Sequence, residues 1–177
     1  VTAILSLPLW DWISKKFNKR WAYIYGIGFW AVVQILLITV TASSPLFYLL
    51  SLCVLAGLGV GAAHVLPWAM IPDAIEVDEL KTGERHEGMF YSLVTLLGKV
   101  TNSIAVPLAL AVLDLSGYIP NAAVQPESTL TGIRLVVGPI PAVLLAGGII
   151  FAIFYPLSRQ EHQDAVHELE ARRQNIQ

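Results

Sequence analysis

The chain alternates long apolar stretches with short groups of polar and charged residues. No Asp, Glu, Lys or Arg occurs from Trp21 to Pro72, and Ser43, Ser44 and Pro45 interrupt this run near its middle. A membrane-spanning helix needs about 20 apolar residues. The run therefore predicts two spans separated by a turn at Ser43 to Pro45.

Two further stretches complete the pattern. Residues 135–158 carry no charge, and residues 88–113 carry Lys99 as their only charge. The opening residues have the pattern of the end of a helix, and the chain begins at Val1 without an initiating Met, so we expect a fragment of a longer protein. The predicted spans are residues 21–42, 46–73, 88–113 and 134–157, within a transmembrane bundle over residues 1–157 that is followed by a tail over residues 158–177.

Composition agrees with a membrane protein and excludes several classes. Hydrophobic residues make up 55% of the chain and charged residues 14%, and the mean hydropathy is +0.64. A net charge of −2 gives no support for nucleic-acid binding. The sequence contains no convincing set of nucleophile, base and orienting group and no metal-ligand spacing, so we expect neither enzymatic activity nor a cofactor.

The basic residues predict the orientation in the membrane. They fall in the first link, in the link two spans later and in the tail, and positively charged loops face the cytoplasm. We expect an integral, multi-pass protein of a plasma or bacterial inner membrane with a cytoplasmic C-terminus. The residues concerned are Lys15, Lys16, Lys19, Arg20, Lys81, Arg85, Arg159, Arg172 and Arg173.

Lys99 is the main candidate for function. A helix that begins near Gly88 and rises about 1.5 Å per residue puts Lys99 roughly 16 Å into the membrane, where a charge costs roughly 2.5–3.5 kcal/mol on insertion scales. The lysine could pair statically with a carboxylate on another helix or line a water-filled path, and we favour the path. Polar residues at spacings of three and four share its helix face, namely Ser92, Thr95, Asn102 and Ser103.

The preceding span offers weaker candidates. Small residues at positions 56–63 suit a close approach of another helix backbone. His64 and Trp68, one turn apart, could line a cavity or bond a neighbouring helix, and the sequence favours neither.

An acidic segment follows that span. We predict that the helix ends at Pro72 and Asp73 and that a solvated turn follows, although the density of carboxylates is also compatible with a cation site. The acidic residues are Asp73, Glu76, Asp78 and Glu79.

Two stretches on either side of this turn carry a family resemblance. Residues 67–73, PWAMIPD, and residues 78–92, DELKTGERHEGMFYS, resemble the glycoside-pentoside-hexuronide:cation symporters of the major facilitator superfamily. The resemblance implies an all-α, polytopic membrane protein. The chain would form the C-terminal part of a twelve-helix fold, from the end of helix eight through helix twelve and a cytoplasmic tail.

The resemblance also implies an activity: symport of a sugar or glycoside with sodium or a proton by alternating access. The coupling cation would be bound mainly by the missing N-terminal half, which is an expected partner together with the lipid bilayer and the solute. Lys99 matches the intramembrane lysine of helix eleven. Residues 11–20 match the loop between helices eight and nine, with Asn18 where Gly is usual, and we expect Asn18 to tolerate a left-handed conformation.

Charged residues near that loop and the acidic turn are candidates for a cytoplasmic gate. We hypothesise that they form changing ion pairs with loops of the other half. The candidates are Asp73, Glu76, Asp78, Glu79, Lys81 and Arg85, with Asp11, Lys16 and Arg20 from the first link.

Two alternatives remain open. The same fold could carry a lysophospholipid whose phosphate pairs with Lys99 and whose tail lies along an apolar cleft. Alternatively, the protein could be a non-transporting scaffold or receptor that signals through its tail, which a capping box of Ser158 and Glu161 predicts to begin as a helix.

Overall fold

A computed structural model describes residues 1–41, 43–122 and 124–154 and the four single positions 163, 166, 168 and 169. Apart from those four positions, the predicted tail over residues 158–177 lies outside the described residues. The same is true of the predicted capping box of Ser158 and Glu161.

The described part of the chain consists of helices joined by short links and contains no strand. Four helical stretches are long and apolar enough to cross a membrane, which agrees with the number of predicted spans and confirms the all-α membrane class. A short 3₁₀ turn, Leu37–Thr39, follows the second helix. The helices are α1 (Thr2–Lys16), α2 (Lys19–Leu36), α3 (Leu46–Thr82), α4 (Glu87–Leu115), α5 (Glu127–Val137) and α6 (Pro139–Ile153).

Helix α3 continues beyond the point where the sequence predicted its end. Residues 73–82 are helical, so the prediction of an acidic turn after Pro72 is wrong. Ile75, which is 1% exposed, anchors the extra turns against the bundle. The helix ends instead at Gly83, whose φ of 77° is the left-handed conformation that favours glycine after a helix.

The last span also differs from its prediction. Helix α5 begins at Glu127, earlier than the predicted start at residue 134, and the helix breaks at Gly138 before α6 begins at Pro139. A Cβ on Gly138 would lie 2.9 Å from the carbonyl oxygens of both Arg134 and Gln34. The break between α5 and α6 therefore lies where the backbone passes that of α2 too closely for a side chain.

Helix α3 is the centre of the packing, with α1 and α2 against it and α6 against α2. Small residues allow the contact, as the sequence predicted. A Cβ on Gly59 would lie 2.4 Å from the Cβ of Trp30 in α2, and one on Gly61 would lie 1.9 Å from the hydroxyl of Ser6 in α1. Helices in lipid gain stability mainly from such close packing.

A small buried core lies where α1, α2 and α3 meet. Trp10, Ala22, Ala62 and Leu66 form it. The indole Nε1 of Trp10 donates a hydrogen bond of 2.8 Å to the carbonyl of Leu58, which satisfies the one polar atom of this side chain.

Helix α4 is different. None of its residues is buried, and it makes few contacts with α3 and α5. A membrane-length helix with so little cover leaves most of its surface available to lipid or to another protein surface.

The glycine contacts give a test of the packing. Gly59→Ala should lower the free energy of unfolding by about 1–3 kcal/mol, because the new methyl group would lie 2.4 Å from Cβ and 3.0 Å from Cα of Trp30, so that α2 must shift. Gly98→Ala in α4 is the control, since nothing lies within 4 Å of its Cβ position. Thermal unfolding in detergent measures both variants, and equal midpoints would contradict the packing.

Candidate functional site

Most charged residues of the described chain gather at one end of the bundle. We call this the charged end and define it by residues 11–20 around the link between α1 and α2, the last turns of α3 over residues 73–82, and residues 83–87, which lead into α4. It contains most of the residues that the sequence proposed for a gate.

One ion pair joins α2 to α3. The ammonium of Lys19 lies 2.7 and 2.8 Å from the two carboxylate oxygens of Asp73 and donates a further hydrogen bond of 2.9 Å to the carbonyl of Ala69. These contacts lie on both sides of Pro72, which has no N–H to support the helix. Lys19 therefore bridges the turn of α3 that contains Pro72 and fixes the start of α2 against it.

A second cluster joins α3 to α4, and we call it the α3–α4 clasp. Gly83 reverses the chain, so that His86 Nδ1 lies 2.8 Å from an oxygen of Asp78 and His86 Nε2 lies 3.4 Å from an oxygen of Glu84. Arg85 pairs at 3.1 Å with both Glu79 and Glu87. The members of the clasp are Asp78, Glu79, Glu84, Arg85, His86 and Glu87.

The carboxylates of the clasp shift the ionisation of its two cations. The hydrogen bond to Asp78 raises the pKa of His86 above its ordinary value, with smaller contributions from the charges of Asp78 and Glu84 against partial desolvation. Hydrogen bonds to Glu87 and Glu79 raise the pKa of Arg85, which stays charged. The clasp is thus strongest when His86 is an imidazolium.

The link between α1 and α2 carries the remaining predicted gate residues. Asp11 pairs with Lys15 on its own helix at 2.6 Å, and the ammonium of Lys16 lies 5.0 Å from the centre of the Trp12 ring. Arg20 donates from Nη2 to the carbonyl of Ile153 at the end of α6.

Asn18, where the family usually has Gly, lies at the start of α2. Its φ of −63° and ψ of 130° are extended, so this position does not use the left-handed conformation that Asn tolerates. Its side chain instead accepts a hydrogen bond of 3.0 Å from the backbone N–H of Arg20. Asn18 is therefore the N-cap of α2.

Several predicted gate residues therefore have partners inside this chain. Asp73 binds Lys19, Asp78 binds His86, and Glu79 binds Arg85. Glu76 is half-buried on α3, whereas Lys81 is exposed in its last turn. Pairing of these residues with the other half of the fold stays a prediction.

The predicted cavity face lies on α4 and is exposed. Ser92, Thr95, Lys99 and Asn102 are all exposed, and the hydroxyl of Ser103 donates to the carbonyl of Lys99 at 2.9 Å. Among the residues that the structure describes, no carboxylate pairs with Lys99, so the alternative of a static ion pair finds no partner there.

His64 and Trp68 lie on α3, whereas Lys99 lies on α4. His64 Nδ1 lies 3.0 Å from the carbonyl of Val60 in its own helix. Trp68 stacks on Tyr91 of α4, with ring centres 6.1 Å apart and planes 16° apart. This stack joins α3 to α4 inside the span, next to Ser92 of the polar face.

An apolar groove lies between α2, α3, α4 and α6 close to the charged end. Its volume is about 430 Å³. The side chains that line it include Tyr23, Met70, Ile71, Phe90, Val94 and Phe151. Such a lining suits a hydrocarbon chain and offers few groups to bind a polar solute.

The structure adds residues that the sequence had not selected. Lys19, Glu84, His86 and Glu87 all belong to ion pairs of the charged end. Gly83 is the residue from which the clasp could have been predicted. A helix that ends at a left-handed glycine turns the chain back, so that the following residues lie beside the last turn of the helix. Within the described residues, no group of three His, Cys, Asp or Glu side chains could hold a metal ion.

The Lys19 contacts give a stability prediction. Lys19→Ala should cost about 1–2 kcal/mol, because Asp73, with only 15% of its side chain exposed, would lose its contacts with the ammonium of Lys19. Lys15→Ala removes the exposed pair with Asp11 and should cost less than about 0.5 kcal/mol. Chemical unfolding in detergent compares the two, and a similar loss in both would contradict the role of Lys19.

The clasp gives a pH prediction. The pKa of His86 is higher in the folded protein than in the unfolded chain, so the imidazolium stabilises the fold. This stabilisation is complete below about pH 6.5, the ordinary histidine pKa. It is lost as the pH rises through the pKa of the folded state. Asp78→Asn should return the pKa toward its ordinary value, and Glu84→Gln should lower it less. NMR titration of labelled histidine measures both, and an unchanged pKa in Asp78→Asn would overturn the assignment.

Known proteins match this chain over most of its length. A family model described as MFS/sugar transport protein matches residues 1–159. An uncharacterized symporter of Synechocystis is 38% identical over 98% of this chain and 33% of its own length. The sodium-dependent lysophosphatidylcholine symporter 1-A of Danio rerio is 32% identical over 92% of this chain and 31% of its own.

A sphingosine-1-phosphate transporter of Xenopus tropicalis is 29% identical over 93% of this chain and 32% of its own length. The chain thus spans about a third of the length of the curated relatives it matches. These matches and the all-α membrane fold agree with the family resemblance of the sequence and with part of a larger transporter fold. The chain belongs to the MFS/sugar transport protein family.

Proposed function

We propose that the complete transporter containing this chain is a cation-coupled symporter that works by alternating access. Transport folds of this kind place their solute site near the membrane midplane, between two halves that rock against each other. This chain would supply one wall of the cavity through α4 and part of a gate at the charged end. The coupling ion, sodium or a proton, would be bound mainly by the other half. We expect no catalysis and no cofactor.

Lys99 carries this proposal. It is an exposed lysine in a helix that is long and apolar enough to cross a membrane, and α4 buries none of its residues against the rest of the chain. A charge within a span needs a partner or water. The other half of the fold can supply carboxylates, and a bound solute can supply an anionic group.

The charged end would face the cytoplasm together with the C-terminus. Basic residues concentrate there, which is the distribution that positive-inside insertion favours. The Lys19 pair and the α3–α4 clasp would keep the ends of α2, α3 and α4 together as one unit. Exposed charges on that unit, including Lys81, would then be free to contact loops of the other half when the gate closes.

We favour a single-chain lipid with a phosphate group as the solute. The apolar groove of about 430 Å³ offers a path for a hydrocarbon tail beside the span. Lys99 offers a cation for the phosphate. Relatives named as lysophosphatidylcholine and sphingosine-1-phosphate transporters support the same class.

A sugar or glycoside is the second candidate. The polar face of α4 presents hydroxyl and amide groups at Ser92, Thr95 and Asn102, which can bond sugar hydroxyls. The description of the matching family, MFS/sugar transport protein, supports this class as well.

Uptake by the complete transporter in proteoliposomes tests the proposal. Lys99→Ala should lower the initial rate of cation-driven uptake at least about tenfold, because loss of one charged hydrogen bond to the solute or to a carboxylate costs about 1.5–3 kcal/mol. Thr101→Ala is the matched control on the opposite face of α4, where its hydroxyl bonds only the carbonyl of Leu97. It should keep at least half of the rate.

The choice of labelled solute decides between the candidates. Uptake of lysophosphatidylcholine without uptake of glycosides would support the lipid, and the reverse result would support the sugar. Uptake of either solute at an unchanged rate in Lys99→Ala would refute the role of Lys99. Absence of any cation-driven uptake would favour the scaffold or receptor.

A further inference from the structure

The corner between α1 and α2 combines exposed aromatic rings with cations. Trp12 is 57% exposed, Trp21 48% and Tyr25 68%. Phe17 lies in the link itself and is also exposed. We call this set, with Lys16 and Arg20, the aromatic corner.

The cations of the aromatic corner lie against its rings. The ammonium of Lys16 is 5.0 Å from the centre of the Trp12 ring, and the guanidinium carbon of Arg20 is 5.8 Å from that of Trp21. Trp21 in turn stacks on Tyr25 at 6.0 Å. A cation therefore lies beside an exposed ring both on α1 and on α2. This combination is typical of the boundary between lipid headgroups and hydrocarbon.

The charge of the corner is not balanced within the described chain. From Asp11 to Arg20 there are four cations and one carboxylate. Asp11 neutralises Lys15, and Asp73 neutralises Lys19. Among the described residues, neither Lys16 nor Arg20 has a carboxylate partner, so a net positive charge remains beside the exposed rings.

We propose that the aromatic corner binds the phosphate of an anionic phospholipid from the leaflet at the charged end. Lys16 contacts the phosphate, Arg20 adds positive potential, and the rings of Trp12 and Trp21 hold the glycerol region and the first part of the acyl chains. The complementary charge makes an anionic lipid a better occupant of this surface than a zwitterionic one. The lipid site differs from the solute path in its residues, because the aromatic corner contains neither Lys99 nor any residue that lines the apolar groove, although Tyr23 of the groove also lies on α2.

Lipid selectivity of the complete transporter tests this site. Spin-labelled phosphatidylglycerol and phosphatidylcholine are compared by electron paramagnetic resonance in phosphatidylcholine membranes. A lysine near an anionic surface changes affinity by about fivefold, so Lys16→Gln should lower the preference for phosphatidylglycerol by about that factor. Adding Arg20→Gln should bring the preference close to one.

Lys81→Gln is the matched control. Lys81 is also exposed at the charged end, so this variant removes the same charge away from the aromatic corner and should keep the preference. Trp12→Leu keeps an apolar side chain but removes the ring under Lys16, and it should give an intermediate loss.

Three results would overturn the proposal. They are a wild-type protein without preference, an equal loss in Lys81→Gln, and full retention in the double variant. Soluble glycerophosphate that displaced the labelled lipid would also count against it, since the acyl chains would then contribute nothing. Thermal unfolding of each variant verifies the fold. If the Arg20 variant is unstable, the lipid preference of Lys16→Gln alone tests the proposal, because the Lys16 side chain makes no ion pair in the described chain.

Discussion

The close approach of helix backbones at glycine is the constraint on which this structure depends. Lipid chains are as apolar as the side chains of the spans, so helices associate through close packing more than through hydrophobic burial. Gly59 and Gly61 place α3 directly against Trp30 of α2 and Ser6 of α1. The three helices then have a fixed separation, which puts Lys19 within reach of Asp73 and lets Trp10 bond the backbone of α3.

Helix α4 is held by a different set of forces. It contributes no buried residue, and its described attachments to α3 are an aromatic stack inside the span and the clasp at the charged end. Polar contacts can break and form again without opening a cavity, whereas glycine packing cannot. The chain therefore combines a closely packed group, α1 to α3 with α6, and one helix that is joined to α3 by an aromatic stack and the clasp. At its other end that helix is joined to α5, where the carbonyl of Ser116 accepts hydrogen bonds from Ser128 and Thr129.

Much of this arrangement was readable from the sequence. Long apolar runs, charge-free except for Lys99, predicted the number of spans because the cost of a charge in lipid is large compared with other local preferences. The small residues at 56–63 predicted close packing for the same physical reason. The end of α3 was not predicted, since Pro72 suggests a stop, while the burial of Ile75 and the contacts of Lys19 keep the helix intact.

The site was predictable only in part. The sequence shows which residues are charged, and the helical period places the polar residues of α4 on the same face as Lys99. Neither observation predicts which residues form ion pairs. These pairs depend on the turn at Gly83, which directs His86 to Asp78, and on the spacing of α2 and α3, which directs Lys19 to Asp73. Partners across a helix contact are set by three-dimensional packing, and a single sequence carries little signal for them.

The length of α3 has a mechanical consequence. Its 37 residues correspond to about 55 Å of helix, against a hydrocarbon core of about 30 Å. The helix therefore acts as a lever whose charged tip extends past the core into water. A tilt of only about 10° around the middle of such a helix displaces the tip by about 5 Å, more than the length of an ion pair. A rotation of that size inside the membrane would therefore be enough to make or break a contact at the surface.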